Sequence, residues 1–356
     1  MTGLGAACAL ALAPASAPAA GAVGEVLTTG AAPHHGGAAG RPVVGIARSS
    51  SGGGYWLASS DGGVYAYGDA PFRGSAADEP LAQPVVDIAG SPTGQGYWLA
   101  ARDGGVLSFG DALFSGSVGG VRLNAPVVGM AATPTGKGYW LAGSDGGVFA
   151  FGDATYAGSA GGTPLNAPIA AIAATPSGKG YWMLARDGGV FAFGDATFAG
   201  TPAGRVGGGA AVDLAAAPDG KGYWVASAGG AVNAFGGAAA HAAVPAPPAP
   251  VSGIEATPSG DGLWLSTGGR LLGDFGVTCY ALQGTTASGA PVAPDVVAVD
   301  PRTVPLGSEI FVSGVGVRRA LDTGGAIKGR RLDIWNSSAD FCREFGHQRL
   351  PAYVMA

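Results

Sequence analysis

Hydrophobic and polar positions along this chain fall into short runs, and glycine closes nearly every one. Between residues 41 and 276 one order recurs: an apolar run such as Pro126-Val127-Val128-Gly129-Met130-Ala131-Ala132, a Pro/Gly turn from Pro134 to Gly138, then Tyr139-Trp140-Leu141-Ala142. A second turn follows at Asp145-Gly146-Gly147, then Val148-Phe149-Ala150-Phe151-Gly152-Asp153, then a last short run near Tyr156. Short runs rich in β-branched and aromatic residues, divided by glycine turns, predict strands, and no segment carries a helical period of useful length. Trp56, Trp98, Trp140, Trp182, Trp224 and Trp264 stand 42, 42, 42, 42 and 40 residues apart.

Units of this length with three or four strands each predict a β-propeller. Six units make six blades if the last, running to Gly276, borrows a strand from the segment ahead of Arg41. Such closure removes exposed sheet edges. A β-solenoid is the competing architecture, because the units are small and glycine-rich. The alanine- and proline-rich stretch ending at Pro250 predicts an extended loop between the last two blades. Recurring aspartates (Asp61, Asp103, Asp145, Asp187; Asp69, Asp111, Asp153, Asp195) invite a calcium or sugar site. Yet Asp bonds its own turn backbone and Gly supplies positive φ in any hairpin, and in the fifth unit the corresponding stretches read Ala228-Gly229-Gly230 and Gly236-Gly237, without either aspartate. The structural role is preferred. Of each Tyr-Trp pair, one ring is expected to pack and the other to sit at the rim.

The pattern changes at Val277. Short β-like runs at 277–282, 296–299, 309–312, 319–321, 331–335 and 352–355, with a helix only at 338–345, predict a small closed barrel. The fold class is therefore all-β: a propeller-like array over 26–276 and a barrel over 277–356.

The chain has 356 residues, 67 of them glycine, with 12% charged and a net charge of −5. Aromatic residues recurring in register argue against disorder. Residues 1–276 hold 11 basic and 17 acidic groups, and 277–356 hold 8 and 7. No basic tract suited to nucleic acid occurs. The small apolar residues from Leu4 to Ala20 lead us to assign 1–25 as a signal peptide and leader, too short and proline-interrupted to span a bilayer. A secreted or cell-wall-associated location follows. Cys8 would leave with the leader, and the two remaining cysteines, Cys279 and Cys342, are expected to pair as a disulfide. With only His347 near them, neither a metal nor another cofactor is expected.

Five ordered motifs carry a resemblance: Thr285-Thr286-Ala287-Ser288-Gly289, Ala298-Val299-Asp300-Pro301, Val304-Pro305-Leu306-Gly307, Asp322-Thr323-Gly324-Gly325-Ala326-Ile327-Lys328-Gly329 and Leu332-Asp333-Ile334-Trp335. Together they resemble the three-aspartate, or 3D, domain. That family is related to the membrane-bound lytic transglycosylase A barrel and to stationary-phase-survival muralytic enzymes. The resemblance covers 277–356. It implies a double-psi β-barrel in which Asp300, Asp322 and Asp333 approach one another. It also implies cleavage of the MurNAc–GlcNAc bond of peptidoglycan glycan strands, usually with formation of a 1,6-anhydro sugar. The repeats resemble those of secreted actinobacterial proteins.

The chemistry asks for such residues. Glycosidic cleavage needs an acid at the leaving oxygen while an oxocarbenium-like state develops. In a lytic transglycosylase the sugar's own C6 hydroxyl attacks, so one carboxyl can act first as acid and then as base. Nearby carboxylates and burial raise an aspartate above its ordinary value of about 3.9, as that role demands. We assign Asp333 as acid/base, with Asp322 the rival and Asp300 tuning protonation. Lys328, Thr323 and Thr286 are assigned to substrate binding. Blander roles exist: Asp300 can cap the turn at Pro301, Lys328 can pair with an aspartate, and the threonines can close turns. Asp333 is harder to dismiss, because an unpaired carboxylate in an apolar strand is costly. Asp322-Thr323-Gly324 is also the aspartic-protease triplet, but such enzymes need two copies and no second occurs. Hydrolysis with water by two aspartates, and a non-catalytic glycan-binding module, are the other readings.

Overall fold

The computed structural model describes residues 23–202 and 209–354, so the expected leader lies almost wholly outside the described residues. Strand β1 (Val26–Gly30) stands alone ahead of five regular three-stranded units. The first unit holds β2 (Val43–Arg48), β3 (Gly54–Ser59) and β4 (Val64–Gly68). The second holds β5 (Val85–Gly90), β6 (Gly96–Ala101) and β7 (Val106–Gly110). The third holds β8 (Val127–Ala132), β9 (Gly138–Gly143) and β10 (Val148–Gly152). The fourth holds β11 (Ile169–Ala174), β12 (Gly180–Ala185) and β13 (Val190–Gly194). The fifth holds β14 (Ala211–Ala216), β15 (Gly222–Ser227) and β16 (Val232–Gly236), and the sixth opens with β17 (Val251–Ala256) and β18 (Gly262–Thr267). β1 completes the sixth sheet, antiparallel to β18 from Val26↔Ser266 to Gly30↔Gly262. The ring is therefore a six-bladed propeller closed by its N-terminal strand.

A fourth, irregular segment closes each unit. In the first, residues 70–76 run from the end of β4 back along the blade to Gly62, whose carbonyl accepts from Ala76 N at 2.8 Å. Trp56 Nε1 donates to Pro71 O at 2.9 Å, and Tyr97 of the next blade donates its hydroxyl to Gly74 O at 2.5 Å. Five of the six propeller Trp rings meet the Tyr of the following blade, as in Trp56–Tyr97 at 5.4 Å and Trp264–Tyr55 at 5.8 Å between centroids, whereas Trp224, whose next blade carries Leu263, meets His241. The Trp and Tyr are buried to 0–1% exposure in every unit that has them. Neither ring sits at the rim, because the Tyr hydroxyl finds its partners in the crossing segment rather than in water.

The repeated aspartates serve the turns. Asp103, Asp145 and Asp187 each accept from the backbone N–H two residues on, at 2.9–3.0 Å. Asp153 accepts from Thr133 at 2.9 Å and from Thr135 at 2.5 Å, tying one hairpin tip to the end of the outer strand.

The inner strands surround a channel of about 500 Å³. Every blade's first strand is an edge there, and edge N–H groups need acceptors. Two aspartates at equivalent positions of opposite blades supply them. Asp87 accepts from Ile88 N at 2.8 Å and from Met130 N of the next blade at 2.8 Å; Asp213 accepts from Leu214 N at 2.7 Å and from Ile254 N at 2.9 Å. Burial raises Asp87 to about 7 despite those donors, and burial together with the charge of Asp87 raises Asp213 well above its ordinary value.

The barrel comprises β19 (Arg270–Tyr280), β20 (Val296–Ala298), β21 (Glu309–Val312), β22 (Gly316–Asp322), β23 (Arg331–Trp335), helix α1 (Ala339–Phe345) and β24 (Gln348–Val354). Its strands close in the order β19-β23-β20-β22-β21-β24, with β19/β23 and β20/β22 parallel. The expected boundary at Val277 falls inside β19, which pairs with β24 from Arg270 onward. β1 occupies the place beside β18 that residues 270–276 would otherwise take, which frees them for the barrel. Phe275, Val277, Val297, Val299, Ile310, Leu332 and Ile334 are among the buried residues of the barrel core. A disulfide joins Cys279 to Cys342 across 63 residues, fastening α1 to β19. By loop entropy such a link stabilises by about 4 kcal/mol. Phe311, Val317 and Tyr353 pack with Val23, Ala228 and Ala249, and Ser313 donates to Pro248 O at 2.7 Å, so the barrel docks beside the fifth and sixth blades. Among the described residues no helix is long and apolar enough to cross a membrane.

Candidate active site

Strand parity builds the site. Phe275 and Val277 point into the barrel core and Cys279 packs against it, so Thr278 and Tyr280 take the outer face of β19. Leu332 and Ile334 point inward, which turns Asp333 outward. Val297 and Val299 do the same for Ala298. Register then sets these residues in a row: Thr278 opposite Asp333, and Asp333 opposite Ala298. On its other side Ala298 pairs with Asp322, after a register shift that skips Leu321. Without that irregularity Asp322 would share the inward parity of Ala320; the shift re-aims it to the outer row. Two carboxylates thus flank one small residue, with their strands two steps apart, roughly 10 Å between backbones.

The two aspartates have different partners. Asp322 accepts from Ala287 N at 2.8 Å, Thr323 N at 2.9 Å and the Tyr280 hydroxyl at 3.1 Å. Three donors suit a carboxylate. Asp333 accepts one, from Thr278 Oγ1 at 2.7 Å. Burial pushes its carboxyl above the ordinary value, the Thr278 bond pulls it down, and the charge of Asp322 pushes it up again. Burial and the bond to Asp322 raise the Tyr280 hydroxyl strongly, so it stays a donor at neutral pH. Neither Asp322 nor Asp333 has an ion-pair partner among the described residues.

Asp300 is placed otherwise. Its buried carboxylate is gripped by Arg302, through Nε at 3.1 Å, Nη2 at 2.8 Å and the backbone N at 3.1 Å, and by Gly329 N at 2.8 Å. Those donors, Arg302 foremost, hold it far below the usual carboxylate range. It latches the 323–330 loop to the turn after β20. Its role as a neighbour tuning Asp333 has no contact to rest on, since Asp322 is the carboxylate whose charge Asp333 feels.

The 281–295 segment lies over the outer row. Leu282 O accepts from Trp335 Nε1 at 2.7 Å and Ser288 N donates to Leu321 O at 3.1 Å. Thr286 is buried, and its hydroxyl accepts from Ala290 N at 3.1 Å and shares a 2.9 Å bond with Ser288, so it closes the turn that presents Ala287 to Asp322. Thr323 and Lys328 are exposed on the loop that Asp300 holds. Sequence reasoning passed over Thr278 and Tyr280. Their alternation with Cys279, beside Val277 in a β-run, was the available signal.

A family model described as 3D domain matches residues 295–356. Two curated relatives from Bacillus subtilis (strain 168) align with parts of the chain. The "Cell wall-binding protein YocH" is 37% identical over 78 residues, 21% of this chain and 27% of that protein. The "Putative cell wall shaping protein YabE" is 32% identical over 85 residues, 23% of this chain and 21% of that protein. The chain thus spans about a quarter of the length of either relative. Among solved structures, the β-propeller domain of Myceliophteria thermophila Cps50 (Swd1) aligns at TM-score 0.42 and 12% identity, over 63% of this chain and 83% of that one. Its ordered motifs, its closed barrel and the family match together make the C-terminal region of this chain a 3D domain.

Proposed function

We propose that this protein acts on the bacterial cell wall and that its barrel cleaves peptidoglycan glycan strands as a lytic transglycosylase. The arrangement of Asp333 carries the reading: a half-buried carboxyl, raised by its surroundings, facing outward beside an aspartate with three donors. Protonated Asp333 donates to the glycosidic oxygen as the C1–O bond breaks. It then takes the proton of the MurNAc C6 hydroxyl as that oxygen bonds to C1. The charge of Asp322 helps keep the proton on Asp333, and its carboxylate would face the positive charge that develops on the sugar. Asp300 is assigned a structural part, holding the loop from which Lys328 and Thr323 reach substrate. Residues 1–25 are assigned to export, in keeping with a wall substrate and a disulfide.

A binding role without cleavage is the second reading, favoured by the name of one relative, a cell wall-binding protein. Digesting purified peptidoglycan with the full chain and weighing the products separates the readings. Products ending in 1,6-anhydro-MurNAc support the transglycosylase. Reducing ends point to hydrolysis, and bound but intact strands point to the binding module.

A further inference from the structure

The propeller exposes one aromatic ring per blade at a fixed place in four successive units. Phe72, Phe114, Tyr156 and Phe198 are 42 residues apart and are 59, 62, 58 and 56% exposed. Each follows the residue whose carbonyl accepts from the blade's tryptophan, at Pro71, Leu113, Thr155 and Thr197. They therefore occupy equivalent points on the crossing segments, along the outer wall of the ring. The repeats compare this position with its neighbours. The preceding residue varies as Pro, Leu, Thr, Thr and the following one as Arg, Ser, Ala, Ala, while the flat ring stays. Core packing does not require it, because more than half of each ring stays exposed.

The two remaining units carry other residues at this place. The equivalent positions, fixed by Trp224 Nε1 donating to Ala239 O and Trp264 Nε1 to Pro33 O, are Ala240 and His34. They belong to the two connections that flank the sixth blade, and the barrel packs against Val23, Ala228 and Ala249 in that region.

We propose that this arc is a multivalent binding surface for the uncharged sugar rings of a polysaccharide, the glycan of the cell wall. The proposal rests on the wall-directed reading above but not on cleavage. Separate rings, one per blade, suit stacking on well-spaced sugars of a long extended chain better than a protein interface, which needs a contiguous buried patch. Residues 1–276 hold 17 acidic groups against 11 basic, which disfavours anionic polymers and anionic lipid as occupants. Four weak equivalent contacts on one rigid ring add through effective concentration.

The test measures co-sedimentation of the full chain with purified peptidoglycan stripped of anionic polymers. Phe114→Ala should weaken binding a few-fold. The combined Phe72→Ala, Phe114→Ala, Tyr156→Ala and Phe198→Ala variant should weaken it by about tenfold or more. Cleavage of short soluble glycan fragments and the melting temperature should stay unchanged. Replacing the four residues by Trp should retain binding, and replacing them by Leu should lose it, since Leu keeps apolar area without a flat face. Wild-type binding by the fourfold Ala variant, or full retention by the Leu variant, would overturn the proposal. So would a wild-type chain that fails to bind walls at all. Loss of cleavage with arc-dependent binding intact would count against the barrel's activity alone.

Discussion

In the propeller, Asp69, Asp111, Asp153 and Asp195 each accept from two hydroxyls of the neighbouring hairpin tip. Those of Ser51 and Ser177 lead in holding Asp69 and Asp195 below the ordinary value. In the barrel, Asp333 has one hydroxyl donor and a charged neighbour, and its carboxyl is raised. The repeated aspartates are tied down as acceptors of the turn hydroxyls. Asp333 is pushed toward its protonated form by burial and by the charge of Asp322. Repetition in a sequence marks the first kind, and a unique position in a strand marks the second.

The largest expected effect tests this contrast directly. Asp333→Asn should lower release of muropeptides by roughly a hundred- to ten-thousandfold with an unchanged melting temperature. Asp153→Asn should do the reverse: full activity and a slightly lower melting temperature. Equal activity losses in the two variants would erase the distinction. Asp322→Asn comes next. It removes the charge that helps raise Asp333, so activity should fall about tenfold or more. The alkaline limb of the pH–rate profile should also move to lower pH. A limb that stays in place would separate the two carboxylates.

Asp300→Ala should act through stability, lowering the melting temperature and reducing activity in part. Its carboxyl is depressed in the fold, so its contribution is present above the unfolded value of about 4 and is lost as pH falls below it. The gap between wild type and variant should close in acid; a gap that persists there would deny the latch. Asp87→Asn is expected to have the smallest effect, a few degrees at most. Its carboxyl is raised in the fold, to about 7, so the sign reverses. Its contribution is fullest below about pH 4 and is lost as pH rises through about 7. Thermal melts of wild type and variant across that interval check it.

The blades were legible because the Trp spacing reports a repeating seam, and even the closing strand ahead of Arg41 could be anticipated from the missing sixth partner. The start of the barrel was not, because Arg270-Leu271-Leu272-Gly273-Asp274-Phe275 reads equally well as a third blade strand; only the competition of β1 for β18 decides it. Asp322 and Asp333 stood out by motif, and Asp333 also by its apolar strand. Asp300 shared the motif set, with capping of the turn at Pro301 as its plainer role. The fork of Arg302, two residues on, and the distant Gly329 N–H set it apart, and neither contact follows from spacing alone. Asp87 and Asp213 gave no signal, since their work is to cap strand edges that exist only once the ring has formed.

Closure by β1 also governs the order in which this chain can be completed. Val26 and Ser266 are the first partners of a pairing that spans almost the whole propeller sequence, so a chain appearing from its N-terminus carries β1 unmatched until β18 emerges. Loop closure of that length is slow. The ring therefore stays open through synthesis and closes last. A chain lacking residues 26–30 would present β18 as a bare edge, open to the β1 of an intact copy or to the bare edge of a second truncated one, which makes pairing between molecules its natural failure.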